Sequence, residues 1–368
     1  MDVVTQCVLG ASAAQTFLGR RLPRSAWLAG ALGGYIPDAD IFIRPAGDPM
    51  GGLLWHRHFT HGIGFIPAGA LIALLPFLLF PAGRRAAGWL YLAALTGIIT
   101  HAPLDACTSF GTCLWWPFSN ARVSWDLIGI IDPLVTLPLL VTVAWSTAIS
   151  WRRRHDLERP APLATRPTRW RTIAGAGFVW VWLYIFVIGG LMHARAAGAA
   201  EHLARARGHD GIQGLRAMPQ PASLLLWRTV YIHDGQIWSD AVHTLPFRSA
   251  RVITGEPQPL LTQTAALARA AALSDRSRNA VRGFYWFTDG YVSPSPDDAA
   301  FLGDMRYGID PERFSAMWGL RLPAPTDPDD ALLFGRPHAR AARTALLWDQ
   351  LILRDPRWRP IDEAAAQR

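Results

Sequence analysis

Two residues in an apolar stretch of this sequence have the types and the spacing of metal ligands. His101 and Asp105 lie four residues apart within the run from Gly88 to Cys107. On a helix this spacing places both side chains on one face. An imidazole and a carboxylate on one face can supply two ligands to a single zinc-like ion. The alternative is a His–Asp hydrogen bond that satisfies two polar groups inside a helix bundle.

Further candidate ligands lie in two earlier segments. Asp38 and Asp40 belong to the sequence Pro-Asp-Ala-Asp, and the segment Trp55–His61 contains three histidines. We predict that one divalent ion is held by four residues: Asp40, His61, His101 and Asp105. Asp38 can replace Asp40 in this set. Imidazole and carboxylate ligands together favour zinc, with manganese or iron as competitors.

The other polar residues of these segments predict hydrolytic chemistry. A bound divalent ion lowers the pKa of its water toward about 7 and polarises a substrate oxygen. We predict catalytic roles for Asp38, His56, Arg57 and Asp132. Asp38 or Asp132 would act as a base or orient a histidine ligand. His56 would bind the ion itself, or contact one of its ligands or the substrate. Arg57 with Arg122 would hold an anionic group such as a phosphate.

The composition indicates a membrane protein. Of the 368 residues, 51% are hydrophobic, 17% are charged and 17 are Trp, and Trp favours membrane interfaces. The predicted fold is mainly α, a polytopic transmembrane helix bundle. Its apolar runs predict four clear spans and two short ones: 62–81, 86–106, 128–150 and 172–192, then 3–18 and 25–36. The short runs fall below the roughly 20 residues of a spanning helix.

Arginine placement predicts the orientation of the chain in the membrane. Residues 1–193 contain 15 Arg, of which twelve lie in 20–24, 84–85 and 152–171. With six crossings these segments share one side, which the positive-inside rule makes cytoplasmic. All candidate ligands then fall on the periplasmic side. We predict an inner-membrane protein in contact with membrane lipids and, despite a net charge of +8, no nucleic-acid binding. The sequence does not indicate an oligomeric state.

The C-terminal half differs in character from the first half. Charged residues are frequent in 194–368, and no apolar run of 18 residues remains. Leu224–Ile232 and Gln236–Leu245 alternate in polarity around Asp234-Gly235, which predicts a β-hairpin. We therefore predict a membrane-embedded domain at 1–193 and a C-terminal α+β extramembrane domain at 194–368, on the periplasmic side.

The motifs of the first half resemble those of bacterial inner-membrane proteins described as metal-dependent hydrolases, some of them as LexA-binding. They cover about residues 1–140 and include Pro37-Asp38-x-Asp40, His56-Arg57-x-x-Thr60-His61, His101-x-x-Leu104-Asp105 and Ile131-Asp132-Pro133. The resemblance implies a helical His/Asp arrangement similar to that of zinc-dependent phospholipase C and P1-type nucleases, and hence phosphoester hydrolysis. A second His-x-x-x-Glu pair is missing, which favours one ion, or two at most.

We therefore predict a membrane-bound, metal-dependent hydrolase that cleaves an ester or phosphoester of a lipid or envelope metabolite. The alternative is a membrane scaffold or binding protein. In that case a metal ion or a polar network only holds the helices together, and residues 194–368 bind a partner in the envelope.

Overall fold

The computed structural model describes residues 1–43, 45, 48, 50–152, 169–308, 310–324, 334–335 and 340–366. Most of the arginine-rich segment 152–171 lies outside these residues. Contacts between residues divide the chain into two compact units. The first contains Met1–Ile43 and Trp55–Gly190, and the second contains Arg44–Leu54 and Leu191–Arg368.

Helices build the first unit. The helices before the first strand are, in chain order, α1 (Val3–Leu18), α2 (Ala26–Tyr35), α3 (Gly51–Leu54), α4 (Ile66–Leu74), α5 (Pro81–Arg85), α6 (Ala87–Ala106), α7 (Pro133–Arg152), α8 (Arg169–Leu183) and α9 (Gly190–Ala206). Of these, α3 and all of α9 after Gly190 belong to the second unit. Tighter 3-10 segments connect several of them: Ile36–Phe42, Phe59–His61, Ile63–Phe65 and Leu75–Leu79. A π-helical turn, Tyr184–Gly189, joins α8 to α9.

Three helices in the described part of the chain are long and apolar enough to cross a membrane: Ala87–Ala106, Pro133–Arg152 and Arg169–Ala206. A fourth span is reached only if Gly51–His61 and Ile63–Leu79, which meet at 62°, count as one broken span. The fold is mainly helical with a sheet-containing C-terminal region, as predicted. The predicted count of four clear spans is not confirmed.

Proline explains why the apolar run 62–81 is not one straight helix. Within it α4 ends at Leu74, and the chain continues as the 3-10 segment that contains Pro76. Proline has no amide hydrogen to donate to the carbonyl four residues earlier, and its ring clashes with that carbonyl. Hydropathy averaged over the run does not register this break.

Small residues allow the helices around the candidate ligands to pack closely. A Cβ atom on Gly97 of α6 would lie 2.1 Å from the carbonyl oxygen of Gly30 in α2. A Cβ atom on Gly10 of α1 would lie 2.3 Å from the same oxygen. Only glycine fits at such contacts, which are typical of helix packing in membranes. The backbone of α2 is thereby held against α6, where His101 lies.

The second unit combines antiparallel sheets with short helices. Its strands are β1 (Gln213–Pro219), β2 (Leu226–His233), β3 (Gln236–His243), β4 (Arg251–Ile253), β5 (Gln258–Pro259), β6 (Val292–Pro294), β7 (Phe301–Asp304), β8 (Gly319–Arg321), β9 (Phe334–Gly335) and β10 (Arg359–Pro360). One sheet has the order β1-β2-β3-β4-β10, with β5 also paired to β3, and the other has the order β6-β7-β8-β9. The helices are α10 (Gln263–Arg269), α11 (Asp275–Thr288), α12 (Arg340–Leu351) and α13 (Ile361–Ala366).

The predicted hairpin in this unit is confirmed. Strands β2 and β3 pair in antiparallel register from Leu226 with His243 to His233 with Gln236. Asp234 and Gly235 form the turn, and both have positive φ angles, 47° and 69°. Two residues with positive φ are what a tight type I′ hairpin requires.

A segment from the first half of the sequence belongs to the core of the second unit. Met50 is fully buried in a cluster with Val281 and Phe284 of α11, and Leu54 packs against this cluster. A Cβ atom on Gly283 would lie 2.8 Å from Leu54. Residues 44–54 are therefore part of the second unit, although they lie in the sequence between Asp40 and His56.

Candidate metal centre

Four buried residues from three separate segments meet near the end of α6. His101 and Asp105 lie on the last turns of this helix, Asp38 lies on the 3-10 segment after α2, and His61 ends the turn Phe59–His61. Each offers one ligand atom, and these atoms all lie within 4.8 Å of one another. Asp38 is 7% exposed, whereas the other three are at most 1% exposed. The sequence prediction named His61, His101 and Asp105 in this set.

The distances within the group suit a single ion. The Nε2 atoms of His61 and His101 are 2.9 Å apart. Asp38 Oδ1 lies 3.6 Å from the first and 3.5 Å from the second, and Asp105 Oδ2 lies 3.1 Å and 3.5 Å from them. A tetrahedral ion with bonds of about 2.0–2.2 Å holds its donor atoms roughly 3.3–3.6 Å apart. Small side-chain movements would bring these four atoms to such positions.

The hydrogen bond of His101 determines which ring nitrogen faces the group. Its Nδ1 atom lies 2.6 Å from the carbonyl oxygen of Gly34. A carbonyl oxygen only accepts hydrogen bonds, so Nδ1 carries the hydrogen. The neutral ring then presents an unprotonated Nε2 to the centre of the group. Pairing the outer nitrogen of a histidine with a backbone carbonyl is the common way to fix a metal-binding tautomer.

Thr60 and Asp40 determine the orientation of His61 in the same way. The Thr60 hydroxyl donates to Asp40 Oδ2 at 2.9 Å and lies 3.0 Å from His61 Nδ1. Because its one hydrogen is used on Asp40, the hydroxyl accepts from His61, whose Nδ1 therefore carries a hydrogen. Asp40 Oδ2 also lies 3.3 Å from this nitrogen. His61, like His101, turns its Nε2 toward the group.

With these two tautomers, the Nε2 atoms of His61 and His101 repel each other unless a cation or a proton lies between them. Two unprotonated Nε2 atoms at 2.9 Å direct their lone pairs at each other, and lone pairs at this distance repel. The arrangement is relieved by a cation that both nitrogens bind, or by a second proton on one ring. Among the described residues Asp38 Oδ2 is buried without a hydrogen-bond partner, and Asp105 Oδ2 makes an ion pair with Arg57 but no hydrogen bond. The donor set therefore fits a divalent cation.

Asp40 lies behind the ligand group instead of in it. Its carboxylate accepts hydrogen bonds from His56 Nδ1 at 2.7 Å, from the Arg57 backbone amide at 2.9 Å and from Thr60. Of the two aspartates that the sequence offered as the fourth ligand, Asp38 joins the group, and Asp40 holds the segment that carries His61. Residues two apart on a 3-10 segment of three residues per turn point in different directions.

Both aspartates are negatively charged despite their burial. Burial raises the pKa of Asp38, and hydrogen bonds from the His101 and His61 rings, when they carry a second proton, outweigh this effect, so that its pKa lies below the ordinary value. The pKa of Asp40 is lowered in the same way, by hydrogen bonds with His56 and His61 that outweigh its burial. Each carboxylate is therefore available as an acceptor or a ligand at neutral pH.

The buried side chain of Arg57 contacts the ligand group. Its side chain is 1% exposed, and Nε lies 3.2 Å from Asp105 Oδ2. Nη1 donates to the Thr108 hydroxyl at 2.8 Å. The residue has a φ angle of 62°, a left-handed conformation that non-glycine residues adopt at a cost of about 1–3 kcal/mol. Its charge compensates a buried carboxylate, and the phosphate contact of Arg57 stays a prediction.

The second oxygen of Asp105 is fixed by the first residues of the chain. Gln6 Nε2 donates to Asp105 Oδ1 at 3.0 Å and to the His101 carbonyl at 3.3 Å. The amino nitrogen of Met1 also contacts Oδ1. With Oδ1 held in this way, Oδ2 is the atom that faces the two histidines.

Two other predicted residues lie outside the group of four. The His56 side chain is 27% exposed, and its ring lies 6.1 Å from that of His61 and 5.5 Å from that of Phe110. Asp132 caps α7 by accepting from the Leu134 amide at 2.8 Å and also accepts from the Tyr184 hydroxyl at 3.1 Å. His56 can therefore meet a substrate, whereas Asp132 has a helix-capping role.

Three contributors to the site were missed by sequence reasoning as functional groups: the Thr60 hydroxyl, the Gly34 carbonyl and the Gln6 amide. The sequence contains a pattern that could have indicated two of them. Thr60 directly precedes the predicted ligand His61, and Gln6 is a polar amide within a helix of small residues. A backbone carbonyl such as that of Gly34 gives no such pattern.

Comparison with known proteins identifies the family and no individual relative. No curated protein and no solved structure matches this chain. A family model described as YdjM inner membrane protein matches residues 1–196, which include all four members of the buried group. The chain belongs to the YdjM inner membrane protein family.

Proposed function

We propose that the chain is an inner-membrane hydrolase that holds one divalent metal ion between Asp38, His61, His101 and Asp105. The observation that carries this proposal is the pair of opposed Nε2 atoms, 2.9 Å apart, whose outer nitrogens donate to Gly34 and to the Thr60–Asp40 pair. This construction directs two imidazole lone pairs at one point. A polar network that only joined helices would not need both of them there.

Zinc suits these ligands best. Two imidazole nitrogens and two carboxylate oxygens form a four-coordinate set, and manganese or iron compete for such sites. A catalytic ion also needs a position for water or substrate. Asp38 is the most exposed of the four ligands, so its side of the group is where water and substrate would approach. An ion held here would acidify a water molecule and polarise the oxygen of a bound ester.

His56 is the proton acceptor in this proposal. Its Nδ1 donates to Asp40 at 2.7 Å, so Nε2 is the nitrogen that can accept a proton, and the side chain is 27% exposed. As water attacks the ester, His56 Nε2 takes the proton that the water loses, and Asp40 stabilises the resulting imidazolium. The same proton then passes to the leaving oxygen as the ester bond breaks. Asp40 thus serves two histidines, one that binds the ion and one that moves the proton.

The remaining groups position the ligands. Arg57 and Gln6 fix the two oxygens of Asp105, and Thr60 fixes the ring of His61. Outer partners of this kind keep metal ligands in their binding orientation. The resemblance to zinc-dependent phospholipases favours a phosphoester over a carboxylic ester as the bond that is cleaved.

The location of the site is part of the proposal. Arg20, Arg21, Arg24, Arg84 and Arg85 lie between apolar runs of the sequence, and the positive-inside rule places such segments in the cytoplasm. The metal centre and residues 191–368 would then be periplasmic. A reporter enzyme that is active only after export, fused after Arg195, would show activity. Fluorescence of a cytoplasm-only reporter at that position would invert the orientation.

Metal loading of the purified chain in nanodiscs tests the proposed activity. We expect the zinc-loaded wild type to hydrolyse members of a panel of phosphodiesters and carboxylic esters, and chelation to abolish this. His56→Gln should keep the metal and lose at least tenfold in rate, in line with the usual contribution of about 10²–10⁴ from a general base. If loaded wild type cleaves nothing and His101→Ala disappears from the membrane, the site is structural and the scaffold alternative holds.

A further inference from the structure

A loop beside the metal centre exposes large aromatic side chains. Between α6 and α7, Trp115 is 52% exposed and Phe118 is 84% exposed, while Thr112 and Cys113 before them are fully buried. Exposed aromatic side chains that lie next to one another mark a surface that is covered by something other than water. Trp in particular concentrates at the boundary between membrane and water.

Backbone hydrogen bonds attach this loop to the segment that carries His61. The Cys113 amide donates to the Arg57 carbonyl at 3.0 Å, and the amides of Ile63 and Gly64 donate to the carbonyls of Leu114 and Trp116, each at 3.0 Å. The bonds lie on both sides of His61 in the sequence. The loop and the ligand segment therefore form one rigid piece, and any surface that holds the loop also holds the metal centre.

Side-chain packing reinforces this attachment. The Trp116 ring lies 5.9 Å from the ring of Phe59, within the range of favourable aromatic pairs. A Cβ atom on Gly62 would lie 2.6 Å from the Cβ atom of Trp116, so the chain directly after His61 touches the loop. Trp116 is half-buried, and its neighbours Trp115 and Phe118 are exposed.

The loop is continuous with a surface that faces lipid. It joins the end of α6, at Ala106, to the start of α7, at Pro133, and both helices are long and apolar enough to span a membrane. Exposed apolar side chains lie before and after Pro133, where α7 begins: Ile130, Ile131, Leu134 and Leu137. In a spanning helix such residues face lipid tails. A loop at the common end of two spans lies at the level of the lipid headgroups.

We propose that Trp115 and Phe118 insert into the membrane–water interface and hold the metal centre at the level of the lipid phosphates. The substrate is then a phospholipid of the membrane that the chain spans, and its phosphoester reaches the site from the bilayer surface. This substrate assignment rests on the proposed hydrolase function. The position of the loop at the interface does not depend on it.

The position of the loop is tested without any activity measurement. Phe118→Cys, made in a Cys7→Ser background and labelled with an environment-sensitive fluorophore, is placed in nanodiscs of phosphatidylglycerol and phosphatidylethanolamine. Cys107 and Cys113 are buried. We expect at least a twofold loss of fluorescence when the lipids carry a spin label near the headgroup. Unchanged fluorescence would show that water, a partner protein or a second copy covers the loop, and would overturn the proposal.

The substrate is tested with two phosphodiesters, one a long-chain phospholipid in the nanodisc and the other a short-chain, water-soluble analogue. We expect Phe118→Ser to raise the KM for the phospholipid at least fivefold and to leave kcat and the KM for the analogue unchanged. Phe247→Ser, at a fully exposed residue of the second unit, should change neither. Equal effects on both substrates would overturn the lipid assignment. If wild type cleaves neither one, the hydrolase proposal fails, and the quenching result alone decides the position of the loop.

Discussion

The imidazoles of His61 and His101 face each other through their Nε2 atoms at 2.9 Å, and the outer nitrogen of each ring donates to an acceptor of its own. Asp38 Oδ1 and Asp105 Oδ2 complete the group at 3.1–3.6 Å from these nitrogens. The Gly34 carbonyl accepts from Nδ1 of His101, and the Thr60 hydroxyl accepts from Nδ1 of His61. These two acceptors fix the tautomers of both rings before any ion binds. A site that is prepared in this way loses little free energy to rearrangement when it binds a metal.

Thr60→Val should weaken metal binding about 10- to 100-fold, the usual effect of removing an outer partner of a histidine ligand. The valine keeps the shape of the side chain and removes the hydroxyl that accepts from His61 Nδ1. Thr60→Ser keeps the hydroxyl and should restore the wild-type affinity. Cobalt titration followed by visible absorption measures both affinities.

The control for this experiment is Thr100→Val. The Thr100 hydroxyl is also buried in the first unit, but it donates to the Gly97 carbonyl within its own helix. We expect this variant to bind cobalt like wild type. If Thr60→Val and Thr100→Val behave alike, Thr60 has no role in orienting His61.

Asp38→Asn and Asp40→Asn should have different effects on metal binding. Asp38 supplies a ligand atom, so its loss should prevent the retention of a stoichiometric ion during purification. Asp40 contacts the ion only through His61 and Thr60, so Asp40→Asn should keep the ion with an affinity about 10- to 100-fold lower. Asp132→Asn, a buried carboxylate that caps α7, should match wild type. Metal analysis that shows the reverse order for Asp38 and Asp40 would restore our assignment from the sequence.

The sequence predicted the part of the site that follows from helix geometry. His101 and Asp105 lie four residues apart on α6, and the structure places both in the group. His61 was predicted from its position beside other histidines. The choice between Asp38 and Asp40 could not be made, because it depends on a 3-10 segment in which residues two apart point in different directions.

Other features of the site needed the three-dimensional structure for a different reason. Arg57 is buried beside Asp105 and has a positive φ angle, and sequence patterns do not predict such a conformation for arginine. In the run 62–81 the hydropathy predicted a span, while proline interrupts the helix.

By contrast, Asp234-Gly235 fits the backbone of a two-residue hairpin turn, and this local rule predicted β2 and β3 correctly.

Met50→Ala should destabilise the second unit by about 2–5 kcal/mol, the range for removing a large apolar side chain from a packed core. Met50 is fully buried against α11, so its removal leaves a cavity. Chemical unfolding of the full chain, followed by limited proteolysis within residues 191–368, measures the effect. Phe247→Ala removes a fully exposed side chain and should change the unfolding free energy by less than about 0.5 kcal/mol. Equal effects would show that residues 44–54 are not part of this core.

The second unit should lose stability as the pH falls below the ordinary pKa of histidine, about 6.5. Burial lowers the pKa of His243, and the nearby Arg251 adds to this, while a hydrogen bond with the Leu351 carbonyl acts in the opposite direction. The folded form therefore binds fewer protons than the unfolded form in acid, and the stabilisation is present above pH 6.5 and lost below it. Thermal unfolding at pH 7.5 and pH 5.5 should show a smaller difference in Tm for His243→Gln than for wild type. An unchanged difference would assign the pH dependence to other groups.

X-ray absorption and metal analysis of the purified, zinc-loaded chain test the central claim most directly. We expect one ion per chain, with two imidazole nitrogens at about 2.0–2.1 Å and oxygen ligands at about 2.0–2.2 Å. His101→Ala should lose the ion while remaining in the membrane. A wild-type protein that retains no divalent ion after loading, or an absorption spectrum without imidazole scattering, would contradict the proposal that Asp38, His61, His101 and Asp105 form a metal centre.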